Sequence, residues 1–141
     1  MNTRIFVLIL GIVFLAAGIL GMFPQALMPA HDNVTVHALH GRLIGLFPVN
    51  VLHSAVHVLF GIWGIVAFRN FLAAKTYARV VAVAYGLLTI MGLIPGLNTV
   101  FGLIPIYGND VWLHALIAIV AAYFGFMATD RVAVSQVQTS H

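Results

Sequence analysis

The sequence contains no cysteine. That excludes disulfides, thiolate metal centres, iron–sulfur clusters and cysteine nucleophiles, and leaves the redox compartment undetermined. Glutamate is also missing, and the three aspartates, Asp32, Asp110 and Asp130, are too scattered to place two carboxylates on one helix face. Charged residues make up only 6% of the chain, against roughly 25% in an average soluble domain. A water-facing surface cannot be built from so few, which excludes an ordinary soluble enzyme and a disordered tail. Six Lys and Arg residues raise the pI to about 9.8, yet they cannot form a phosphate-binding face, so no nucleic-acid partner is expected. Gly-x-Ser-x-Gly, His-Glu-x-x-His and phosphate-cradling loops are likewise missing. No enzymatic function is expected.

Apolar residues are abundant: 62% of the 141 residues are hydrophobic, and the mean hydropathy is +1.09. Four runs, 5–28, 49–68, 77–94 and 111–128, approach or exceed the roughly 20 residues that cross a bilayer as a helix. The first is longer than the apolar core of a signal peptide and reads as a span. The expected fold is all-α, a bundle of four transmembrane helices within residues 1–129, followed by a short tail over 130–141. Arg4, Arg69, Lys75, Arg79 and Arg131 fall on one side of the expected membrane and Arg42 alone on the other. The positive-inside rule then puts both termini in the cytoplasm. Trp112 suits the outer interface, and the apolar loop 97–110 is expected to lie in the interface or to pack over the outer mouth of the bundle.

Gly-apolar-apolar-Pro recurs four times, beginning at Gly21, Gly45, Gly92 and Gly102, each at the outer end of an expected helix. Punctuation by Gly and Pro is the plainest explanation. The register adds to it. Laying 45–57 on 102–114 without a gap brings Gly45 onto Gly102, Pro48 onto Pro105, His53 onto Asp110 and His57 onto His114. Each half then reads as a helix hairpin, with helix 1 matching helix 3 and helix 2 matching helix 4. Two spans per half make the repeats parallel, related by an axis along the membrane normal.

Helix 2 carries His53, His57, Gly61, Gly64 and Phe68 on one narrow face, and helix 4 repeats the spacing with Asp110, His114, Ala118, Ala121 and Gly125. Each stripe is polar at its outer end and mostly small further in, which suits the bundle interior or a contact with another copy. His57 would lie about 13 Å inward from Pro48, level with His114. Two imidazoles at one depth on different helices are what a metal ion, or a haem with two axial histidines, requires. His53 and Asp110 are supporting candidates, Asp110 as a ligand or as a partner that fixes a histidine tautomer. Simpler roles stand beside these: Asn50 and Asp110 as helix caps, and His57 and His114 as interhelical glue bonded to Thr89, Tyr85, Asp110 or a carbonyl. His37 and His40 make a weak metal pair only if their loop is helical, and Val34-Thr35-Val36 does not favour a helix.

The run from Leu43 to His57, with Phe47-Pro48-x-Asn50 leading into two histidines four apart and then Gly61 and Gly64, resembles a family of small four-helix bacterial membrane proteins catalogued as a domain of unknown function. Asn109-Asp110 with His114, and Gly-Leu-Ile-Pro-Gly at 92–96, resemble it too. The resemblance covers roughly residues 4–126. It implies the four-helix fold and the bacterial inner membrane, and brings no substrate, cofactor or active-site residue. Three functions stay open: a structural or accessory membrane component that forms a homo-oligomer or joins a membrane complex; a metal-, haem- or pigment-binding protein using the histidines; and a small proton or solute pathway.

Overall fold

A computed structural model describes residues 1–30 and 34–129. His31 and Asp32, and the expected tail 130–141 with Asp130 and Arg131, lie outside the described residues. Four helices dominate: α1 (Thr3–Leu20), α2 (Val51–Ala67), α3 (Phe71–Leu93) and α4 (Asn109–Ala122), the last running on into a π-helical turn over Tyr123–Met127. Asparagine starts three of them. The side chains of Asn2, Asn50 and Asn70 accept the otherwise unpaired N–H groups of Ile5, His53, and Leu72 with Ala73. Asp110 is not a cap. Gly108 holds that position, at φ +66°, and Asp110 falls within the first turn of α4.

Two helix boundaries differ from the expected runs. α1 stops at Leu20 instead of continuing to 28, because Pro24 supplies no N–H and opens a short 3₁₀ turn, Pro24–Ala26. α3 begins at Phe71 rather than 77. Lys75 and Thr76 are polar without being helix-breaking, and a lysine stem lies readily along apolar surface. The loop between α1 and α2 also departs from an all-α fold. It forms a small antiparallel sheet, β1 (Leu27–Met28), β2 (Gly41–Leu43) and β3 (Phe47–Val49), in that order, with Leu27 opposite Leu43 and Arg42 opposite Pro48. Ile44 and Gly45, both at positive φ, turn β2 into β3, and Pro48 is tolerated because β3 is an edge strand.

α1 packs along α2, and α3 along α4, whereas α2 and α3 touch little although only residues 68–70 join them. Glycine sets the first contact. A methyl on Gly61 would fall 2.7 Å from Leu15 Cα, and one on Gly64 would fall 2.9 Å from Gly11 Cα. Gly125 meets Arg79 and Ala78 in the same way, and Ala121 is fully buried. Gly61, Gly64, Ala121 and Gly125 thus lie at helix contacts within the chain. The core lies where α1 and α3 cross, around Val7, Phe14, Tyr77, Val81 and Tyr85.

Basic side chains close the helix C-termini at the opposite end from the sheet. Arg4 Nε donates to Phe68 O at 2.6 Å, Arg79 Nε to Gly125 O at 2.9 Å, and Lys75 Nζ to Ala128 O at 2.5 Å. These carbonyls have no partner within their own helix, and a cation there also opposes the negative end of the helix dipole. α1, α3 and the continuous stretch Asn109–Met127 are long and apolar enough to cross a membrane, while α2 has 17 residues. Their outer faces are apolar too: Ile12, Leu59 and Ile119 are each more than half exposed. Such faces suit lipid, and the chain is a membrane-embedded protein by this measure.

Candidate metal centre

The N-terminal ends of α2 and α4 bring four ionisable side chains together, His53, Asp110 and His114 buried and His57 partly so. Asn50 fixes the start of α2 and, fully buried, donates through Nδ2 to Leu103 O at 2.7 Å and Val36 O at 3.1 Å, so the loops before α2 and before α4 are both tied to this helix end. One turn on, His53 and His57 stand four residues apart with ring centroids 4.6 Å from each other. His114 approaches from α4, its ring 6.1 Å from that of His53. One nitrogen from each of His53, His57 and His114 lies within 4.8 Å of the others. Asp110 Oδ2 sits 3.3 Å from His114 Nε2 and 4.0 Å from His53 Nε2.

Hydrogen bonding in this cluster is incomplete. His53 Nδ1, His114 Nδ1, Asp110 Oδ2 and the neighbouring Ser54 Oγ are buried without a hydrogen-bond partner, although the Pro48 and Pro105 carbonyls lie beside the His53 ring. Most buried polar atoms in folded proteins are paired, and leaving one unpaired costs about 1–3 kcal/mol. Interhelical glue is met in part, by Asp110 Oδ2 beside His114 and His53 and by the Pro48 and Pro105 carbonyls beside His53. Neither hydroxyl considered for that role takes part: Thr89 Oγ1 donates to the carbonyl of Tyr85 in its own helix, and Tyr85 presents its ring to His114, edge-on at 4.8 Å. Packing instead holds the imidazoles from below. Phe14 stacks on His57 at 5.4 Å and on Tyr85 at 5.2 Å.

A cavity of about 300 Å³ adjoins the three histidines. Its remaining walls are apolar, from α2 (Val56, Phe60), α3 (Ala84, Leu88, Met91) and the loop before α4 (Ile104). Val100, Ile104 and Ile106 of the loop before α4 line the cavity, and Ile106 is fully buried.

Compared with known protein families, residues 4–127 match the model of a domain of unknown function, DUF4383. The chain belongs to this family. No curated protein and no solved structure matches it.

In this DUF4383 chain the four residues picked out by spacing, His53, His57, Asp110 and His114, do converge. His37 and His40 do not join them: they lie in a turn, where His40 Nδ1 is 3.0 Å from Val49 O. Sequence reasoning missed Phe14, whose ring supports His57 from α1, and the apolar cavity. A Phe among many apolar residues on a lipid-spanning helix carries no distinguishing signal.

Proposed function

We propose that this chain is a four-span membrane protein whose outer-leaflet cluster, His53, His57 and His114, binds a first-row divalent metal ion such as zinc, with Asp110 orienting the imidazoles. The observation that carries this reading is the convergence of three imidazole nitrogens within 4.8 Å beside buried polar atoms that have no partner. Zinc is bound by histidine nitrogens at about 2.0–2.1 Å, commonly with three protein ligands and one open position. A small inward movement of the rings would close the present separation to that geometry. Asp110 on the Nε2 side of His53 and His114 leaves Nδ1 of each for the ion, the carboxylate–histidine–metal arrangement that fixes tautomer and ring orientation. An all-imidazole set without thiolate suits zinc, copper, nickel or ferrous iron.

A haem held by His57 and His114 fits less well. Its macrocycle would have to pass between two opposed nitrogens, and His53 already stands within 4.8 Å of both. A proton or solute path is also disfavoured, because Gly64 packs against Gly11 and Tyr77, and the rings of Phe60, Trp63 and Tyr77 fill the interior below. We read the chain as a binding protein, not an enzyme: among the described residues Ser54 Oγ, the aliphatic hydroxyl next to the cluster, has no base bonded to it. A structural role within a membrane complex remains compatible with the metal centre.

The two-hairpin repeat belongs to this reading, and several contacts support it. Phe14 and Tyr85 occupy matching positions on α1 and α3; each faces the matching histidine, His57 or His114, and the two rings stack on each other. Gly21 makes room for Ser54 where its counterpart Gly92 makes room for Val111, the residue that matches Ser54. The turns match as well. Leu46 N bonds Leu43 O at 3.1 Å, Leu103 N bonds Val100 O at 3.2 Å, and Gly45 and Gly102 have φ of +74° and +86°. At the opposite end, Arg4 and Arg79 cap the matching carbonyls of Phe68 and Gly125. This supports a transmembrane domain over 1–129, with α2, at about 25 Å, as the fourth span.

The assignment to a bacterial inner membrane with both termini cytoplasmic rests on the basic residues and the family resemblance. The cysteine-free sequence makes its test clean. Leu46→Cys, at the exposed turn of the sheet, is expected to react with a membrane-impermeant maleimide on intact cells, and Thr129→Cys only after permeabilisation. The metal reading is tested by elemental analysis of protein extracted in mild detergent without chelators. One equivalent of zinc or another first-row metal per chain is expected, and a metal-free preparation that takes none up from micromolar solution would refute it.

A further inference from the structure

Charge is scarce on this chain, yet two of its cations stand together at the end away from the sheet. Lys75 and Arg79 lie four residues apart on α3, one turn from each other on the same face. Both reach across to the end of α4, where Lys75 Nζ donates to Ala128 O and Arg79 Nε to Gly125 O at 2.9 Å. Aromatic rings hold them as well: the Arg79 guanidinium is 5.4 Å from the centre of the Phe126 ring, and Lys75 Nζ is 5.9 Å from that of Phe71. Each cation is therefore fixed through one N–H. The terminal amino groups of Arg79, an exposed residue, and the other N–H groups of Lys75 have no acceptor among the described residues.

The charge at this point is unbalanced. Like charges at such a spacing repel, and a helix C-terminus offers only about half a negative charge against two positive ones. Among the described residues no carboxylate pairs with either cation. Asp110 sits with the histidines, and Asp130 and Arg131 cancel in formal charge. One monoanion would nearly restore the balance, and arginine binds phosphate oxygens two at a time.

Position selects the kind of anion. Arg79 lies about 12 Å along α3 from Phe71, and a helical side chain leans toward its own N-terminus. The charged head thus reaches back toward the level where hydrocarbon meets head groups. In the other direction the exposed residues Val83, Leu87 and Ile90 continue the face of α3 that carries Arg79. A cation pair at the foot of an apolar stripe has the build of a phosphate at the foot of acyl chains. We propose that Lys75 and Arg79 hold the phosphodiester of an anionic phospholipid, whose acyl chains lie along this face of α3. Basic sites between membrane helices suit such head groups.

The test uses the full chain in mild detergent, stripped of bound lipid, with native mass spectrometry counting the lipids that rebind. The first phosphatidylglycerol is expected to bind about tenfold or more tighter than phosphatidylcholine with the same acyl chains, whose head group balances its own phosphate. Millimolar glycerol 3-phosphate is expected to leave it in place. Arg79→Gln should weaken phosphatidylglycerol about tenfold or more, through loss of a charge-assisted hydrogen bond. Lys75→Gln carries the same expectation and replaces it if that variant fails to fold. Arg69→Gln removes an equal charge at the same end and should cost no more than about fivefold. Equal affinity for the two lipids, displacement by glycerol 3-phosphate, or a loss in Arg69→Gln as large as in Arg79→Gln overturns the site.

Discussion

Gly61→Leu is expected to prevent the α1–α2 hairpin from closing, leaving little folded protein in the membrane. The physical reason is backbone contact. Even the first carbon of a side chain at 61 would fall 2.5 Å from Leu15 N and 2.7 Å from Leu15 Cα, and a helix backbone cannot move aside as a flexible side chain can. Overpacking costs about 1–3 kcal/mol where side chains can adjust, and here the two helices must separate, so the loss is expected to reach or exceed about 3 kcal/mol. Such a separation carries His53 and His57 away from His114, because α1 holds α2 and Phe14 of α1 stacks on His57. Gly86→Ala is the matched control. It lies inside α3 with nothing within 4 Å of the added carbon, and alanine is expected to stabilise the helix there by roughly 0.5–1 kcal/mol. Denaturation in mixed detergent micelles measures both. A Gly61→Leu protein as stable as wild type would show that the helices do not meet at this glycine.

His114→Ala is expected to abolish stoichiometric metal binding, and Asp110→Asn to weaken it by about 10–100-fold. The two differ because the first removes a ligand and the second removes the group that orients two ligands, since Asp110 Oδ2 faces both His114 at 3.3 Å and His53 at 4.0 Å. A ligand that binds only the folded state also stabilises it, by about 2.7 kcal/mol when present at 100 times its dissociation constant. Wild-type protein should therefore melt at higher temperature when zinc is added, Asp110→Asn should need more zinc for the same gain, and His114→Ala should show none. Melting with and without zinc, followed beside direct metal titration, separates this from a purely structural histidine. In that case both substitutions would change stability equally with and without metal.

The membrane class, the helix count and the four polar residues of the site were legible in the sequence for one reason: charge and polarity are so scarce that each occurrence inside an apolar run stands out. His57 and His114, each four residues from a second ionisable side chain on its own helix, are visible from spacing because helical periodicity alone puts such pairs on one face. Helix ends were less legible. Hydropathy does not distinguish an apolar helix from an apolar strand, so Leu27–Met28 was absorbed into the first span when it pairs with β2. Conversely, Lys75 and Thr76 looked like a loop and lie in α3, because interfacial helices accept polar residues whose side chains reach the surface. The small-residue stripes were visible, but spacing alone left open whether they meet another copy. Gly61 turns to Leu15, Gly64 to Gly11 and Gly125 to Arg79, all within the chain. The cavity had no sequence signature. It exists because α2 and α3 splay apart, which depends on how two hairpins lean together and not on any residue pattern.

The central claim is that His53, His57 and His114 bind one ion together. Anomalous diffraction from crystals of the zinc-loaded protein, collected on either side of the zinc absorption edge, tests it most directly. The account predicts a single anomalous peak about 2.0–2.1 Å from one nitrogen of each of the three imidazoles, with Asp110 bonded to His114 behind it. A peak elsewhere, or none between three rings hydrogen-bonded to one another or to Ser54, would contradict it.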